Sequence, residues 1–442
     1  EAQDQAECIE GAATQPWCNG KVGLNGISYY AMNQWQTAAL QPPHLAAMCA
    51  WEGSSDYYRE LCRHGGILSD FFGGWYLRQV KSVQYGVGQR AEKNPNNGRS
   101  VAGDITLSDE ELEKRRAASD ISIQNREMID DDYLSRMPDL SKIKAPVLSA
   151  GNWGGPGVHL RGNIEGWRGA ASKNKWLFMH VGTHYESFYL PEYVSLQKRF
   201  FDRYLKGLDN GWDDEPRVQV LVRTPEGTRV RRLAQQFPLP QTEWRRLYLD
   251  LDGLGLSETA PQPAQLSYEH AGTGLTLRTA ALAQDLEIMG PLSLRVWASG
   301  QGTDLDLFVV LRAFDPQGRE VVFDGAHEPT PITRGWLRAS HRKTDPERNM
   351  PGRPWHTHDE PWPLTPGEPV ALDIEIWPTS MVFPKGYTLA LTVMGRDFEF
   401  DGIAGRILHN APSDRDPHIL GPKTTLWCGP SHPSFLTLPV VT

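Results

Sequence analysis

The sequence has no CxxC pair, no excess of positive charge, and no apolar run near the roughly 20 residues of a membrane-spanning helix. Its five cysteines, Cys8, Cys18, Cys49, Cys62 and Cys428, are scattered, which excludes a dense disulfide framework and the paired spacing of a zinc site. Free thiols in a reducing, cytoplasmic setting are the expectation. With 45 basic against 54 acidic side chains, the net charge of −9 leaves no footprint for nucleic acid or an anionic membrane surface. The apolar stretches "HLAAMCAW" and "LDLFVVL" have the length of buried strands. There is no internal repeat, and no secretory signal is expected from the residues at hand.

What is present is an ordinary globular composition, 39% hydrophobic and 22% charged over 442 residues. That length calls for two or three units, because single cores stop growing at roughly 250–300 residues. From 1 to 55 the pattern runs helix, strand, helix, strand, the rhythm of a parallel sheet with crossover helices. From 56 to 140 the strand signal fades into aromatic, then charged and Asn-rich segments, which predicts a mostly helical insertion. Its "SDEELEKRRAASD" stretch predicts a helix capped by Ser108, with Glu111 three residues on. The sheet resumes over 141–212 with "APVLSAGNW" and "KWLFMHVGTH", followed by an amphipathic helix that stops near Lys206 and Gly207. Residues 213–442 read as many short alternating strands between Pro/Gly turns, the signature of an all-β sandwich.

In "KVGLNGISYY", Ser28 follows a strand, opens a helix and has Gly26 two positions before it. A nucleophile elbow needs that arrangement: the turn is tight enough to demand small neighbours, and it lifts the hydroxyl to the carboxyl edge of the sheet. The motif departs from G-x-S-x-G at Tyr30, with the small residue one later at Ala31. A serine also needs a base. His184, on the loop after the strand ending "FMHVGTH", is the candidate, while His180 inside the apolar run reads as a packed side chain.

The segments "PWCNGKVGLNGISYYAMNQWQTA", the "GTH" loop, "FFDRYLKG" and "GPSHPSFLTLPVV" resemble the CocE/NonD group of serine hydrolases, which includes cocaine esterase-like and X-Pro dipeptidyl-peptidase-like enzymes. The resemblance implies an α/β hydrolase core, a helical cap at 56–140 and a C-terminal jelly roll. It puts Ser28 and His184 at the nucleophile and base positions, and a serine hydrolase acting on an ester or amide, X-Pro peptides included, through an acyl-enzyme. No metal and no organic cofactor is implied. Two departures stand out. Gly154 occupies the place of the family's acid, so Glu52 at the end of the strand after the nucleophile helix is the candidate orienting acid, with Asp56 second and Glu165 third. The family's front segment, with its oxyanion tyrosine, has no match here, which leaves the Tyr29 backbone N–H as the oxyanion donor. An N-terminally incomplete core, completed by a separate segment or by homo-oligomer formation, is therefore expected. The alternative is an impaired fragment that binds through its jelly roll without turnover.

Phe71, Phe72, Trp75 and Tyr76 are candidates for an acyl pocket, though packing of the insertion would also account for them. His356, His358, Asp359 and Glu360 in "PWHTHDEPW" could suggest a metal, but a Pro-flanked loop is the plainer reading. "TDLDLFVVL" reads as a half-exposed strand rather than a calcium loop.

Overall fold

A computed structural model describes residues 1–115, 126–227, 229–403 and 405–442. Helix α1 (Ala2–Ala13) leads into strand β1 (Val22–Ile27), helix α2 (Tyr29–Ala39) and strand β2 (Leu45–Trp51). After the 56–140 segment come strand β3 (Val147–Asn152), helix α3 (Leu160–Gly169), strand β4 (Lys175–His180) and helix α4 (Pro191–Lys206). Strands β1, β2, β3 and β4 pair in parallel in that order. Strand β5 (Val218–Arg223) continues the sheet in parallel and β6 (Arg229–Ala234) adds antiparallel. The strand expected to open the β-rich region at 213–442 is thus hydrogen-bonded into the α/β sheet.

The alternation of a doubly covered sheet is visible along β2. Met48 and Ala50 pack with Ala31, Trp35 and Ala38 of α2, while Ala47, Cys49 and Trp51 pack with Tyr193 and Phe200 of α4. Helix α4 has Pro191 in its first turn and Gly207 in the left-handed region (φ 68°) at its end, which marks both stops. Close packing also explains Gly166 on α3, where a Cβ would meet the buried Trp35 ring at 2.7 Å.

The 56–140 segment is not a continuous helical layer. It holds short helices such as Phe71–Trp75, Asp109–Lys114 and Asp131–Ser135, together with a hairpin pairing Arg63–His64 with Ile67–Leu68. The hairpin tip is Gly65-Gly66, both at positive φ, and a Cβ on Gly65 would meet the Trp336 carbonyl at 2.1 Å. Only glycine lets the hairpin dock so closely on the β-rich region. Ser108 caps Asp109–Lys114 in a full capping box with Glu111, as its spacing predicts; residues 116–120 of that predicted helix lie outside the described residues.

The C-terminal region is β-rich. Strands β7 (Thr242–Asp250), β8 (Leu286–Gly300), β9 (Asp306–Phe314), β10 (Thr333–Arg338), β11 (Val370–Phe383), β12 (Thr388–Met394), β13 (Lys423–Cys428) and β14 (Phe435–Val441) pair antiparallel. Alternate residues Leu292, Leu294 and Val296 of β8 face Leu307, Val309 and Leu311 of β9 in one core. Strand β9 is buried rather than half-exposed. Its Asp306 is fully buried in an ion pair with Arg338, which resolves the acidic pattern without calcium. Among the described residues no helix is long and apolar enough to cross a membrane.

Candidate active site

Ser28 joins β1 to α2 at φ 62° and ψ −120°, a backbone conformation that costs roughly 1–3 kcal/mol for a residue with a side chain. The neighbours that permit it are those the sequence shows. A Cβ on Gly26 would lie 2.6 Å from the Tyr30 Cβ, and one on Gly53 would lie 2.5 Å from the Ala31 Cβ. The small residue needed after the serine is therefore Ala31, wedged under Gly53, while Tyr30 points outward with 72% exposure. Ser28 N–H donates to the carbonyls of Trp51 and Glu52, both at 3.0 Å, which ties the elbow to the end of β2.

Glu52 is fully buried at that strand end, with φ 49°. Its Oε2 accepts from His184 Nδ1 at 2.8 Å, and its Oε1 accepts from Asn152 Nδ2 at 3.3 Å. Burial raises the Glu52 pKa, against the hydrogen bond and charge attraction of His184 and the hydrogen bond of Asn152. Asn152 also donates to the Gly182 carbonyl at 2.8 Å, so it braces the carboxylate and the His184 loop together. Asn163 of α3 grips the same strand end, donating to the Ala50 carbonyl and accepting from Gly53 N–H, each at 3.0 Å. His180 stacks on Trp51 with centroids 5.1 Å apart and lies 3.6 Å from Glu52.

Gly154 has a physical reason to be glycine. A Cβ there would meet the Asp324 carbonyl oxygen and the Gly325 Cα at 2.8 Å, so a loop from the β-rich region fills the space an acid would need. The other two acidic candidates are engaged elsewhere: Asp56 pairs with Arg59 at 2.7 Å, and Glu165 with Arg168 at 2.6 Å.

One participant has no counterpart in the sequence reading. Ser28 Oγ lies 3.0 Å from Nε2 of His159, at the start of α3. His159 Nδ1 stands 3.2 Å from Ser54 Oγ, whose own proton goes to the Val158 carbonyl. Ser54 therefore accepts from Nδ1–H, and His159 Nε2 is the lone pair that accepts from Ser28. Burial, reinforced by the neighbouring His184 and His327, holds the His159 pKa well below its ordinary value, so this ring is neutral. The His159 and His184 rings stack at 5.2 Å with a 9° interplanar angle. The signal available for His159 was its place in "GPGVHLRGN", on the turn from β3 into a helix at the same sheet edge as Ser28.

Ser28 and His159 line a cavity of about 820 Å³ that is shared with Tyr29, Met32, Phe72 and Trp75. Phe71 and Tyr76 are on its wall as well, so all four aromatic candidates are brought to Ser28. The Tyr29 ring packs at a tilt against Trp75, centroids 5.3 Å apart, and its backbone N–H lies in the first turn of α2, where the amide dipoles favour negative charge. The histidines of "PWHTHDEPW" are buried, with His358 on His341 at 2.9 Å, whereas Asp359 and Glu360 turn away to Lys343 at 3.1 and 2.8 Å. That geometry does not gather a four-ligand set.

Residues 1–186 match the X-Pro dipeptidyl-peptidase (S15 family), and residues 210–437 match the X-Pro dipeptidyl-peptidase C-terminal non-catalytic domain. A CocE/NonD family hydrolase from Staphylococcus aureus is 33% identical, with a TM-score of 0.86 over 100% of this chain and 76% of that one. The chain belongs to the CocE/NonD family of S15-type hydrolases. Cocaine esterase of Rhodococcus sp. (strain MB1 Bresler) is 22% identical over 99% of this chain and 84% of the esterase. An aminopeptidase from the marine sediment archaeon Thaumarchaeota archaeon shares the fold, at TM-score 0.70 and 15% identity over 100% of this chain and 80% of that one. The α/β hydrolase unit and the β-rich C-terminal region are thus family features, and so is hydrolase chemistry of the esterase or peptidase type.

Proposed function

We propose that this CocE/NonD hydrolase is a serine esterase or amidase that transfers an acyl group to water through Ser28. The observation that carries this reading is a strained serine on a cavity with an aromatic wall, linked through His159 to a buried His184–Glu52 pair. Ser28 Oγ attacks the carbonyl carbon as its proton leaves to an imidazole, the tetrahedral oxyanion forms at the Tyr29 amide, and the imidazolium then protonates the leaving group. Water repeats the sequence on the acyl-enzyme.

His184 is the better base of the two imidazoles. An imidazolium on His184 is neutralised by Glu52 at 2.8 Å, whereas one on His159 would face only the Ser54 hydroxyl in a buried site. His159 then serves as the resting acceptor that aims Oγ into the cavity. The 3.0 Å contact favours a second reading in which His159 itself takes the proton. The aromatic wall supports an acyl part that is apolar or aromatic and small enough for about 820 Å³.

The test is labelling with a fluorophosphonate, followed by peptide mass spectrometry and an ester panel. Adduct on the Ser28 peptide, absent in Ser28→Ala, is expected; its absence from a folded sample would reject an activated serine. His184→Ala should lose far more kcat than His159→Ala, and the reverse order would hand the base role to His159.

A further inference from the structure

Three imidazoles converge behind Ser28, and the serine chemistry needs two at most. His159, His184 and His327 each bring a ring nitrogen to within 4.8 Å of the other two. His327 comes from the β-rich region, on the loop that closes over Gly154. Its ring lies 4.7 Å from that of His184 and 6.5 Å from that of His159. The loop is anchored on both sides of the gap: Ala326 N–H donates to the Gly154 carbonyl at 2.7 Å, and His184 N–H donates to the Ala326 carbonyl at 3.2 Å.

The hydrogen-bond pattern sorts the lone pairs. His184 gives Nδ1–H to Glu52 and His159 gives Nδ1–H to Ser54, so both rings carry their lone pair on Nε2, that of His159 accepting from Ser28 in the resting site. A carboxylate or hydroxyl behind the imidazole is the arrangement that fixes tautomer and aim in metal-binding histidines. His327 Nε2 is buried and has no hydrogen-bond partner among the described residues. Nothing in the acyl-transfer cycle uses it, and a buried polar atom left without a partner is destabilising.

We propose that His159, His184 and His327 form a binding site for a divalent transition cation of the zinc class, and that occupancy switches the hydrolase off. Three nitrogens bound at about 2.0–2.1 Å would stand about 3.4 Å apart, so the present spread of up to 4.8 Å has to contract when the cation binds. Glu52 behind His184 supplies a negative charge. The cation takes the lone pairs of His184 and His159 together, so Ser28 loses both its base and its resting acceptor. Cation binding itself does not depend on the serine-hydrolase reading; the inhibition does.

The experiment uses the full chain stripped with a chelator. Zn²⁺ alone is followed by equilibrium dialysis, and Co²⁺ by the visible absorption of a nitrogen-ligated ion. About one equivalent should bind, ester hydrolysis should fall with occupancy, and chelator should restore it. His327→Gln, checked for folding by its thermal transition, should keep hydrolysis in the absence of zinc, bind at least about tenfold more weakly and resist inhibition. Ser28→Ala should bind zinc undiminished, which separates this site from the nucleophile. Absence of binding, binding indifferent to His327→Gln, or activation by zinc would each overturn the proposal. A Co²⁺ spectrum of the unsubstituted chain without nitrogen-ligand character would overturn it independently of any variant.

Discussion

His184 and His409 each hold a carboxylate through Nδ1, Glu52 at 2.8 Å and Asp397 at 2.9 Å, and all four side chains are buried. By that pair alone the two places look alike. The second nitrogen tells them apart. His409 Nε2 meets His64 Nδ1 at 2.7 Å, and His64 Nε2 reaches the Glu60 carbonyl at 3.3 Å, so that chain of bonds ends in backbone beneath Trp336 and Trp377. His184 instead stacks on His159, which meets the strained serine and lines the cavity. A histidine–carboxylate pair therefore becomes a candidate for chemistry only where its far nitrogen has somewhere to send a proton; otherwise the same bonds hold two regions of the chain together.

The largest effect that tests this contrast is on Glu52. Glu52→Gln keeps the shape but removes the charge that steadies an imidazolium on His184, and kcat should fall about 10³–10⁴-fold with little change in KM. Gly154→Asp on that background should not restore activity, because the Asp324–Gly325 backbone occupies the space. Recovery of rate would show that the family's usual acid position is still usable and would undo the steric argument for Glu52.

Asp397→Asn is the matching change at the other pair. Asp397 accepts from His409 N–H at 2.6 Å as well as from Nδ1. Burial alone would raise its pKa, but the attraction and hydrogen bonds of His409, with Arg334, outweigh this and hold it low. Loss of the charge should cost about 2 kcal/mol of stability in denaturant titrations, with kcat per folded molecule within about twofold of the original. A large drop in kcat without a drop in stability would mean that the two pairs are not functionally distinct.

A third change reads the same structural pair through pH. Burial, and then His409, push the His64 pKa down from 6.5 to about 3. The unfolded chain takes up that proton below about 6.5 and the folded chain does not until about 3, so stability rises with pH across this window and is lost as pH falls through it. Denaturation at pH 5 and pH 7.5 should show the decline. His64→Asn should make it shallower by about one proton, and equal slopes in the two proteins would reject the assignment.

The unequal legibility of these places in the sequence has a physical basis. Ser28, Glu52 and His184 follow strands β1, β2 and β4, and a parallel sheet delivers all its strand ends to one edge, so reading the strands locates the residues. Gly154 was visible as a departure, but its cause was not, because the loop at 324–325 arrives from a distant part of the chain with no local pattern to announce it. His327 was invisible for the same reason. His159 follows a strand end too, yet reading the site as a three-member relay left no role for a second imidazole. Strand β5 lies past the boundary expected at 213 and yet hydrogen-bonds to β4, because a strand's sequence records its own alternation and not its neighbour. The aromatic group at 71–76 is conspicuous in the sequence, whereas the hairpin just before it is not, because two-residue strands carry no periodicity.

The smallest expected effect concerns the residue that breaks the elbow motif. Tyr30 is 72% exposed, and the tight contacts of the turn are made by the backbone and Cβ, with Ala31 under Gly53 and the Tyr30 Cβ beside Gly26. Tyr30→Ala keeps every atom that those contacts use, so stability should move by less than about 0.5 kcal/mol and kcat/KM by less than about twofold. Gly26→Ala inserts a methyl group into the 2.6 Å gap and should cost about 1–3 kcal/mol. The ring of Tyr30 meets that of Tyr29, which lines the cavity, edge-on at 6.3 Å. A tenfold or greater loss of kcat/KM in Tyr30→Ala, with stability intact, would place the ring in the substrate's path and make the departure from G-x-S-x-G a feature of recognition rather than a tolerated exposed side chain.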